Sequence, residues 1–451
     1  MARKFPSKLR WLIRTNLFVS FIACFFIVSD AAAQEVYDLS RCIQMALERN
    51  FDLQVVRNRE DVAINNYTAG NAGMLPAITT TNRLGGTVNS SVQDYGDGGT
   101  VSSSGVHNTS GSSAVSLGMT IFRGFQVKHT YRKLGEQVAL QGLQTQMEIE
   151  NLIARIVSEY NFYLEQISLY ENLAYAVSLS RERVRIDEER YLLGSASKMQ
   201  LLQSIVYLNA DSSRFASQNE VLRSSQIRLN ELMASENPGE EIILADSLIR
   251  LNENLIYDTL LMRTLLHNTG LQIASKNQDI SELDYKIIES RAYPYLTMST
   301  GYGYTYSGYG TGDLQNQQVH GMNYGLTLGM DLFDGFNRRR EKSNARIEIE
   351  NREIQYRQVE QSVKADLMTI YYAYENNLNR LRLEEQNLEV ARENLEIAVE
   401  RYKLGDLAGL ELREVQKSLL DAEERLISVK YQVKLAEISL LQISGSIMDY
   451  L

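Results

Sequence analysis

Two sequence motifs occur twice in this chain, and both return at the same distance. Residues 189–194 read ERYLLG and residues 400–405 read ERYKLG, a separation of 211 positions. Residues 116–125, SLGMTIFRGF, return as TLGMDLFDGF at residues 327–336, again 211 positions later. Because both motifs return at the same distance, the block between them is duplicated without insertions. A repeat of this length is too long for a solenoid unit of about 20–50 residues, so we expect one fold built from two similar halves.

The first 33 residues have the features of a signal peptide. Basic residues precede an apolar stretch at Leu17–Val28, which is shorter than the roughly 20 residues that span a bilayer. Ala31–Ala33 then fits the rule for signal-peptide cleavage, so we predict a mature chain that begins at Gln34. Cys24, inside the apolar stretch, leaves a lipid anchor as an alternative.

The charged and catalytic residue types exclude several function classes. The formal net charge is −10 and no basic patch is interleaved with aromatic residues, which argues against a nucleic-acid partner. The histidines are scattered without metal-ligand or triad spacing, and no nucleotide-binding or nucleophile motif is present. We therefore expect no catalytic residues, no metal site and no cofactor.

Apolar residues recur along each half with the period of a coiled coil. Between residues 149 and 191 the spacing alternates between four and three positions, which is the 3.5-residue period of a left-handed supercoil. The same spacing returns 211 positions later, in residues 360–402, and no proline interrupts either stretch. The pattern extends well beyond an ordinary helix of about 8–20 residues, so it predicts long helices that pack against each other.

The glycines of the repeated motifs mark the ends of these helices. One helix is predicted between Gly124 and Gly194 and another between Gly335 and Gly405, each about 100 Å long at about 1.5 Å per residue. Shorter helices are expected beside them, so that two stacked end to end match one long helix. These shorter segments are residues 39–72, 195–235, 258–291 and 406–444.

Alternation with period two predicts a β-hairpin in each half, at residues 74–124 and 292–335. Apolar and aromatic residues on one face, against Ser, Thr and Gly on the other, are typical of strands in membrane barrels. A soluble hairpin is the alternative, but no amphipathic segment remains to cover the apolar side. The polar segments 89–113 and 308–321 are expected to be exposed loops. The best-patterned face carries Leu296, Met298, Tyr302, Tyr304 and Tyr306.

The number of predicted strands requires more than one chain. Four strands cannot close a barrel, because the smallest membrane barrels use about eight. Two chains would supply eight strands with a filled interior, and three would supply twelve with some open lumen. The residues alone do not choose between these assemblies.

The order and spacing of these features resemble the TolC family of outer-membrane efflux channels. The resemblance rests on the signal peptide, repeat 1 (residues 34–237), the linker at residues 238–257, repeat 2 (residues 258–451), and the turns ERYLLGSAS, ERYKLGDLA, FRGF and FDGF. It implies an α+β membrane channel that is closed as a homotrimer. Four strands from each chain would form one transmembrane β-barrel of twelve strands, and the helices would form a coiled-coil α-barrel in the periplasm.

The resemblance also implies a location and partners. Channels of this family sit in the outer-membrane lipid of Gram-negative bacteria and act as exit ducts rather than enzymes. Their helical tips dock onto a periplasmic adaptor protein, which itself sits on an inner-membrane pump or secretion ATPase. The exported cargo is not readable from the residues, because selection belongs to the pump.

The family's pore gate maps onto the second repeat. Tyr402 matches a tyrosine just before the tip glycine, here Gly405, and Glu411 and Glu414 match two pore-facing acids six and nine residues past it. In three chains these acids would form a ring of six carboxylates that attracts cations. A solvated helix face is the alternative reading of both glutamates.

The chain departs from the family's gate at two positions. Leu407 stands where an arginine is expected, and Gln200 stands where the first repeat should carry an aspartate. The known tyrosine–aspartate–arginine lock is therefore not reproduced at the mapped positions. Lys198 or Arg413 is expected to pair with Glu411 instead.

Four glycines are assigned to turns. Gly194 and Gly405 fit helix C-caps in the left-handed conformation, and the resemblance makes their surroundings the adaptor-docking tips. Gly124 and Gly335 are assigned to the turns from strand to helix.

A second function class remains open at the level of sequence. A structural or adhesive coiled-coil protein of the periplasm or cell surface would also need long helices with a heptad pattern. That hypothesis predicts no amphipathic strands, so the hairpins discriminate between the two.

Overall fold

The structure is a computed structural model that describes residues 36–450. The predicted signal peptide at residues 1–33 and the alternative anchor Cys24 lie outside the described residues. Within the described part of the chain, every helix is too short or too polar to cross a membrane.

Two helices of 67 residues dominate the fold, one in each repeat. At about 1.5 Å per residue, each is about 100 Å long. A short 3₁₀ helix follows the last of the helices, at Ile447–Tyr450. The helices in chain order are α1 (Leu39–Arg49), α2 (Phe51–Asn66), α3 (Gln126–Leu192), α4 (Lys198–Leu232), α5 (Tyr257–His267), α6 (Thr269–Ser290), α7 (Asn337–Lys403) and α8 (Gly409–Ile443).

The heptad pattern of the sequence forms the seam between α7 and α8. Apolar residues of α8 recur at seven-residue spacing and are buried against leucines of α7, as in a left-handed coiled coil. The α3–α4 seam has the same spacing, but its apolar residues on α4 are mostly half-buried. The buried seam residues of α8 are Leu412, Leu419, Leu426, Val433 and Leu440.

The prediction of one continuous opening helix in each repeat, over residues 39–72 and 258–291, is wrong. Asn50 ends α1 and begins α2, and Asn268 does the same between α5 and α6. Each asparagine Oδ1 accepts a hydrogen bond from the backbone amide three residues ahead, at 3.1 Å and 3.0 Å. This side-chain cap satisfies an amide at the start of the second helix, so the chain can change direction there.

The same two asparagines join the short helices end to end. Asn50 Nδ2 donates to the carbonyl of Leu232, the last residue of α4, at 3.3 Å. Asn268 Nδ2 donates to the carbonyl of Ile443, the last residue of α8, at 2.9 Å. Because helix C-termini lack partners for their last carbonyls, these bonds stabilise the junctions. The short helices therefore stack end to end beside the long ones.

The described strands form two sheets. The strands are β1 (Val36–Tyr37), β2 (Ala77–Asp94), β3 (Thr100–Arg123), β4 (Ile243–Leu244), β5 (Tyr295–Gly308) and β6 (Asn316–Gly329). A four-stranded antiparallel sheet has the order β2-β3-β5-β6, and a two-stranded parallel sheet joins β1 to β4. The second sheet ties the start of repeat 1 to the linker, and strands of two residues carry too little periodicity to be read from sequence.

The prediction of a loop over residues 89–113 is wrong, because most of this polar segment is strand. The turn between β2 and β3 covers only residues 95–99, and the loop of the second hairpin covers residues 309–315. Backbone pairing continues through the Ser/Gly run, and hydroxyls meet across the strands, as between Ser91 and Ser103 at 3.0 Å. Such cross-strand pairs stabilise a ladder without apolar side chains.

The strand register collects the apolar side chains of the four-stranded sheet on one face. Residues paired across antiparallel strands share a face, and the paired rows run from β2 through to β6. Large side chains on this face are exposed in the single chain, with Tyr324 85% exposed. One such row is Thr80, Val115, Tyr302 and Met322, and the neighbouring row is Ile78, Leu117, Thr300 and Tyr324.

Candidate functional site

The helical tips are the turns that join α3 to α4 and α7 to α8. Gly194 and Gly405 have φ angles of +75° and +83°, the left-handed region that side chains disfavour. The amide of Ser195 donates to the carbonyl of Arg190 at 2.8 Å, and the equivalent bond closes the other turn at 2.9 Å. This pairing around a left-handed glycine ends a helix and reverses the chain.

The turns at the opposite ends of the long helices use two left-handed residues each. Gly124 and Phe125 have φ angles of +55° and +66°, and Gly335 and Phe336 have φ angles of +68° and +63°. The surroundings of the two glycines differ, since a Cβ on Gly124 would lie 2.1 Å from the carbonyl oxygen of Ser290. A Cβ on Gly335 would meet no atom closer than 3.8 Å.

Tyr402 forms a contact between the repeats just before the second tip. Its side chain is 3% exposed, and its hydroxyl donates a hydrogen bond to Oδ1 of Asp187 on α3. The guanidinium of Arg190 lies 4.5 Å from the centre of the Tyr402 ring and donates to the Tyr402 carbonyl. Tyr191, which occupies the equivalent position in repeat 1, is 40% exposed. We call the Tyr402–Asp187 contact the latch.

Burial and the neighbouring Asp187 carboxylate raise the pKa of Tyr402 to about 12. The tyrosine therefore remains protonated at neutral pH and can only donate to Asp187. A donated hydrogen bond to a charged group is worth about 1.5–3 kcal/mol. The latch thus holds α7 of repeat 2 against α3 of repeat 1.

A second contact between the repeats lies next to the latch. Arg413 of α8 forms two hydrogen bonds of 2.7 Å with the carboxylate of Asp211 on α4. The hydroxyl of Ser180 donates to the same carboxylate. The ring of Tyr207 lies between two guanidiniums, 4.8 Å from that of Arg183 and 5.2 Å from that of Arg413. The expectation that Arg413 pairs with Glu411 is therefore wrong.

Arg183 is the least satisfied charged residue at the tips. It is 2% exposed, and its Nη1 donates weakly to Gln416 at 3.4 Å. Its Nη2 is buried and has no hydrogen-bond partner within residues 36–450. Burial, followed by the charge of Arg413, lowers the pKa of Arg183.

Glu411 and Glu414, the predicted gate acids, lie on the exposed side of the first turns of α8. In the described part of the chain, no ion pair joins either carboxylate to Lys198 or Arg413. The structure brings Tyr402 together with Asp187 rather than with these acids. Their role in a gate stays a prediction.

Sequence reasoning missed Asp187 and Asp211 because their equivalents in repeat 2 do not share their chemistry. It missed Arg190 because its equivalent, Arg401, makes different contacts. Ala398 and Ala422 stand at the positions equivalent to the two aspartates. One signal was available in the heptad pattern. Polar residues stand where repeat 2 carries Ala or Val in two pairs at seven-residue spacing, Ser180 and Asp187, and Ser204 and Asp211.

Among the described residues, no three His, Cys, Asp or Glu side chains are grouped so that they could hold a metal ion. The groups at the tips are instead arranged as pairs of opposite charge and hydrogen bonds between α3, α4, α7 and α8. These contacts hold the helices together while they are formed, and breaking them lets the helices separate.

Solved structures share this architecture at low sequence identity. A membrane protein from Pseudomonas aeruginosa superimposes with a TM-score of 0.74 at 15% identity, covering 90% of this chain and 93% of that one. CusC, whose structures concern folding and transmembrane channel formation, gives a TM-score of 0.72 at 15% identity over 90% and 92% of the chains. The outer membrane protein VceC from Vibrio cholerae gives 0.70 at 16% identity over 90% and 96%.

The sequence itself identifies the family. No curated protein matches the chain by sequence. The family described as outer membrane efflux protein matches residues 42–235 and 260–446, which together make up most of the chain. The two matched segments correspond to two repeats of helices and strands joined by the linker that carries β4. On this match, supported by the shared fold, the chain belongs to the outer membrane efflux protein family.

Proposed function

We propose that this protein is the exit duct of a tripartite efflux or type I secretion system. In this role it is a passive conduit across the outer membrane and periplasm, with a gate at the helical tips. The observation that carries the proposal is the exposed apolar face of the four-stranded sheet, on a chain of the efflux family. An exposed patch of this kind requires lipid or another protein to cover it.

Closure of the sheet is proposed to require three copies of the chain. The outer strands of the sheet, β2 and β6, each pair on one side only within the described chain. Unpaired strand edges are unfavourable in lipid, where no water satisfies backbone groups. Pairing of β6 in one copy with β2 in the next would remove both edges. Three copies would give a barrel of twelve strands with an open lumen.

The helical part is proposed to cross the periplasm as a tube. Each copy contributes two long helices of about 100 Å and two rows of stacked shorter helices. Six similar units in a trimer make a closed tube, and the tips form its narrow end. The turns at Gly194 and Gly405 are the proposed docking points for a periplasmic adaptor on an inner-membrane pump.

The gate is proposed to be held shut by the latch and by the Asp211–Arg413 ion pair. Both contacts join repeat 1 to repeat 2, so separation of the two helix pairs must break them. Glu411 and Glu414 are exposed beside them and would supply the acidic ring at the constriction. Asp187 takes the place of the aspartate that the family pattern expects at the position of Gln200.

The alternative function, a structural or adhesive coiled-coil protein, predicts no amphipathic strands. The four-stranded sheet with one apolar face favours the channel. Purification from membrane and periplasmic fractions tests the choice directly. We expect heat-modifiable trimers in the outer-membrane fraction and ion conductance after reconstitution in planar bilayers. A soluble monomer in the periplasmic extract would contradict the channel.

A further inference from the structure

A cavity of about 670 Å³ lies between the two tips. It is bounded by α3 and the start of α4 from repeat 1, and by the start of α8 from repeat 2. The volume falls within the range of about 300–1,000 Å³ that is usual for small-molecule sites. Its lining combines apolar side chains with charged ones, including Met199, Tyr207, Leu410, Arg183 and Arg190.

The two guanidiniums that line the cavity lack carboxylate partners. Arg183 bonds to the amide of Gln416, and Arg190 bonds to the carbonyl of Tyr402. Within residues 36–450 neither forms an ion pair, although Arg413 nearby is fully paired with Asp211. Arg183 is 2% exposed and its Nη2 has no hydrogen-bond partner among those residues, so the charges of Asp187 and Asp211 offset that of the guanidinium only from a distance. A buried charge in this state is unfavourable unless an opposite charge joins it.

The start of α8 adds further positive potential to the same cavity. Its N-cap residue is Ala408, which has no side-chain oxygen to accept from the first amides. The equivalent residue at the start of α4 is Ser197, which forms a capping box with Gln200. The uncapped amides follow Ala408 at Gly409 and Leu410, and both residues line the cavity. A helix N-terminus with free amides attracts anions.

The cavity also contains acidic groups, and their contacts limit their effect. Asp187 accepts the hydrogen bond of the Tyr402 hydroxyl. Asp406 is 77% exposed at its side chain and lies 3.5 Å from Arg401. Glu411, the third residue of α8, is exposed and does not line the cavity. None of these carboxylates forms an ion pair with Arg183 or Arg190 in the described part of the chain.

We propose that this cavity binds an oxyanion, a phosphate or carboxylate group on a small organic body. The oxyanion would be attracted by the charges of Arg183 and Arg190 and by the free amides at the start of α8. The apolar side chains around it would accommodate the organic part. Because the cavity joins the two repeats, occupancy favours the closed arrangement of the tips. This last consequence rests on the proposed gate.

Calorimetric titration of the detergent-solubilised full-length protein tests the site. The probes are inorganic phosphate and phenyl phosphate, at neutral pH. We expect saturable binding of about one phenyl phosphate per chain, and at least tenfold weaker binding to Arg183→Gln. Arg185→Gln is the matched control, because Arg185 is exposed and already bonded to Glu182 and Glu189.

A second variant tests the site even if Arg183→Gln fails to fold. Ala408 has the extended backbone of an N-cap, with φ −73° and ψ 147°, so Ala408→Asp can place a carboxylate on the free amides. We expect this variant to lose phenyl phosphate binding and to unfold at a higher temperature. The proposal would be overturned if neither probe bound saturably, or if Ala408→Asp kept the wild-type affinity for phenyl phosphate. Calorimetry measures binding and does not depend on whether the protein conducts ions. A failure of the proposed channel would therefore appear only in the separate conductance experiment.

Discussion

The hydroxyl of Tyr402 donates a hydrogen bond to the carboxylate of Asp187, and the two residues belong to different repeats. The repeat equivalents of this pair are Tyr191, which is 40% exposed, and Ala398, which has no acceptor side chain. In this contact repeat 2 supplies the donor and repeat 1 supplies the acceptor. The equivalent contact between Tyr191 and Ala398 cannot form. A trimer would contain three such contacts rather than six.

The first prediction concerns the latch. Tyr402→Phe removes the hydroxyl and leaves the buried Asp187 without its donor, so we expect unfolding to become easier by about 1–3 kcal/mol. In planar bilayers we expect a higher open probability, because one bond between the helix pairs is missing. Tyr191→Phe is the matched control and should change neither quantity. Equal open probabilities for wild type and Tyr402→Phe would show that the latch does not hold the gate shut.

The second prediction concerns the Asp211–Arg413 ion pair. The side chain of Asp211 is 4% exposed, so Asp211→Asn leaves Arg413 with an uncompensated charge in a mostly buried site. We expect a loss of about 3 kcal/mol in the free energy of unfolding. Chemical denaturation followed by circular dichroism measures it.

The control for this pair is an exposed one. Glu182 pairs with Arg185, and both side chains are more than half exposed. Exposed pairs contribute about 0–1 kcal/mol, so Glu182→Gln should lie within that range. A similar loss in both variants would show that the Asp211–Arg413 pair has no special role.

The third prediction compares two equivalent glycines. Gly124→Ala places a Cβ where the Ser290 carbonyl lies only 2.1 Å away, in addition to the strain of a positive φ. Gly335→Ala suffers the positive φ alone, which costs about 1–2 kcal/mol. We expect Gly124→Ala to reduce the yield of folded protein severely and Gly335→Ala only slightly. Quantifying heat-modifiable oligomer in membrane extracts distinguishes them, and the opposite order would contradict the geometry.

The fourth prediction tests the acidic ring. Replacing both Glu411 and Glu414 with Ala should weaken cation selectivity and cation block of single channels, because the carboxylates that attract cations are absent. The equivalent residues of repeat 1, Gln200 and Gln203, carry no charge. Their double replacement with Ala is the control and should leave selectivity unchanged. Unaltered selectivity in the glutamate variant would mean that these acids belong to an ordinary solvated face.

The fifth prediction concerns pH. Glu165 on α3 is 6% exposed, and burial raises the pKa of its carboxyl to about 7. A raised pKa means that the folded chain binds the proton more tightly than the unfolded chain. The contribution to stability is therefore complete below the unfolded value of 4.5 and is lost as pH rises through about 7. The loss at higher pH is on the order of 3 kcal/mol.

Replacement by a neutral isostere checks this assignment. Glu165→Gln should flatten the decline in unfolding free energy between pH 4.5 and about 7, the unfolded and folded pKa values of this carboxyl. Glu171→Gln, at an exposed position of the same helix, should retain the decline of the wild type. If both variants follow the wild-type curve, another group is responsible for the pH dependence.

The local features of the fold were accessible from the residues alone. The heptad leucines of α8 predicted a coiled-coil seam, because helical periodicity is a property of consecutive residues. The left-handed glycines were recognisable for the same reason, since a positive φ is a local requirement. The break at Asn50 was missed because an asparagine inside a helical pattern caps a new helix only when the chain changes direction.

The contacts that join the repeats were decided by tertiary structure. Asp187 lies 215 positions from Tyr402, and Asp211 lies 202 positions from Arg413. Their pairing depends on how α3, α4, α7 and α8 are rotated and shifted against each other, and a periodic pattern does not specify that rotation. The sequence by itself determined the repeats, the long helices and the tip glycines, all of which follow from local spacing. Only the packing of the helices selected which buried charges meet, because a buried charge is stable only where a partner is brought to it.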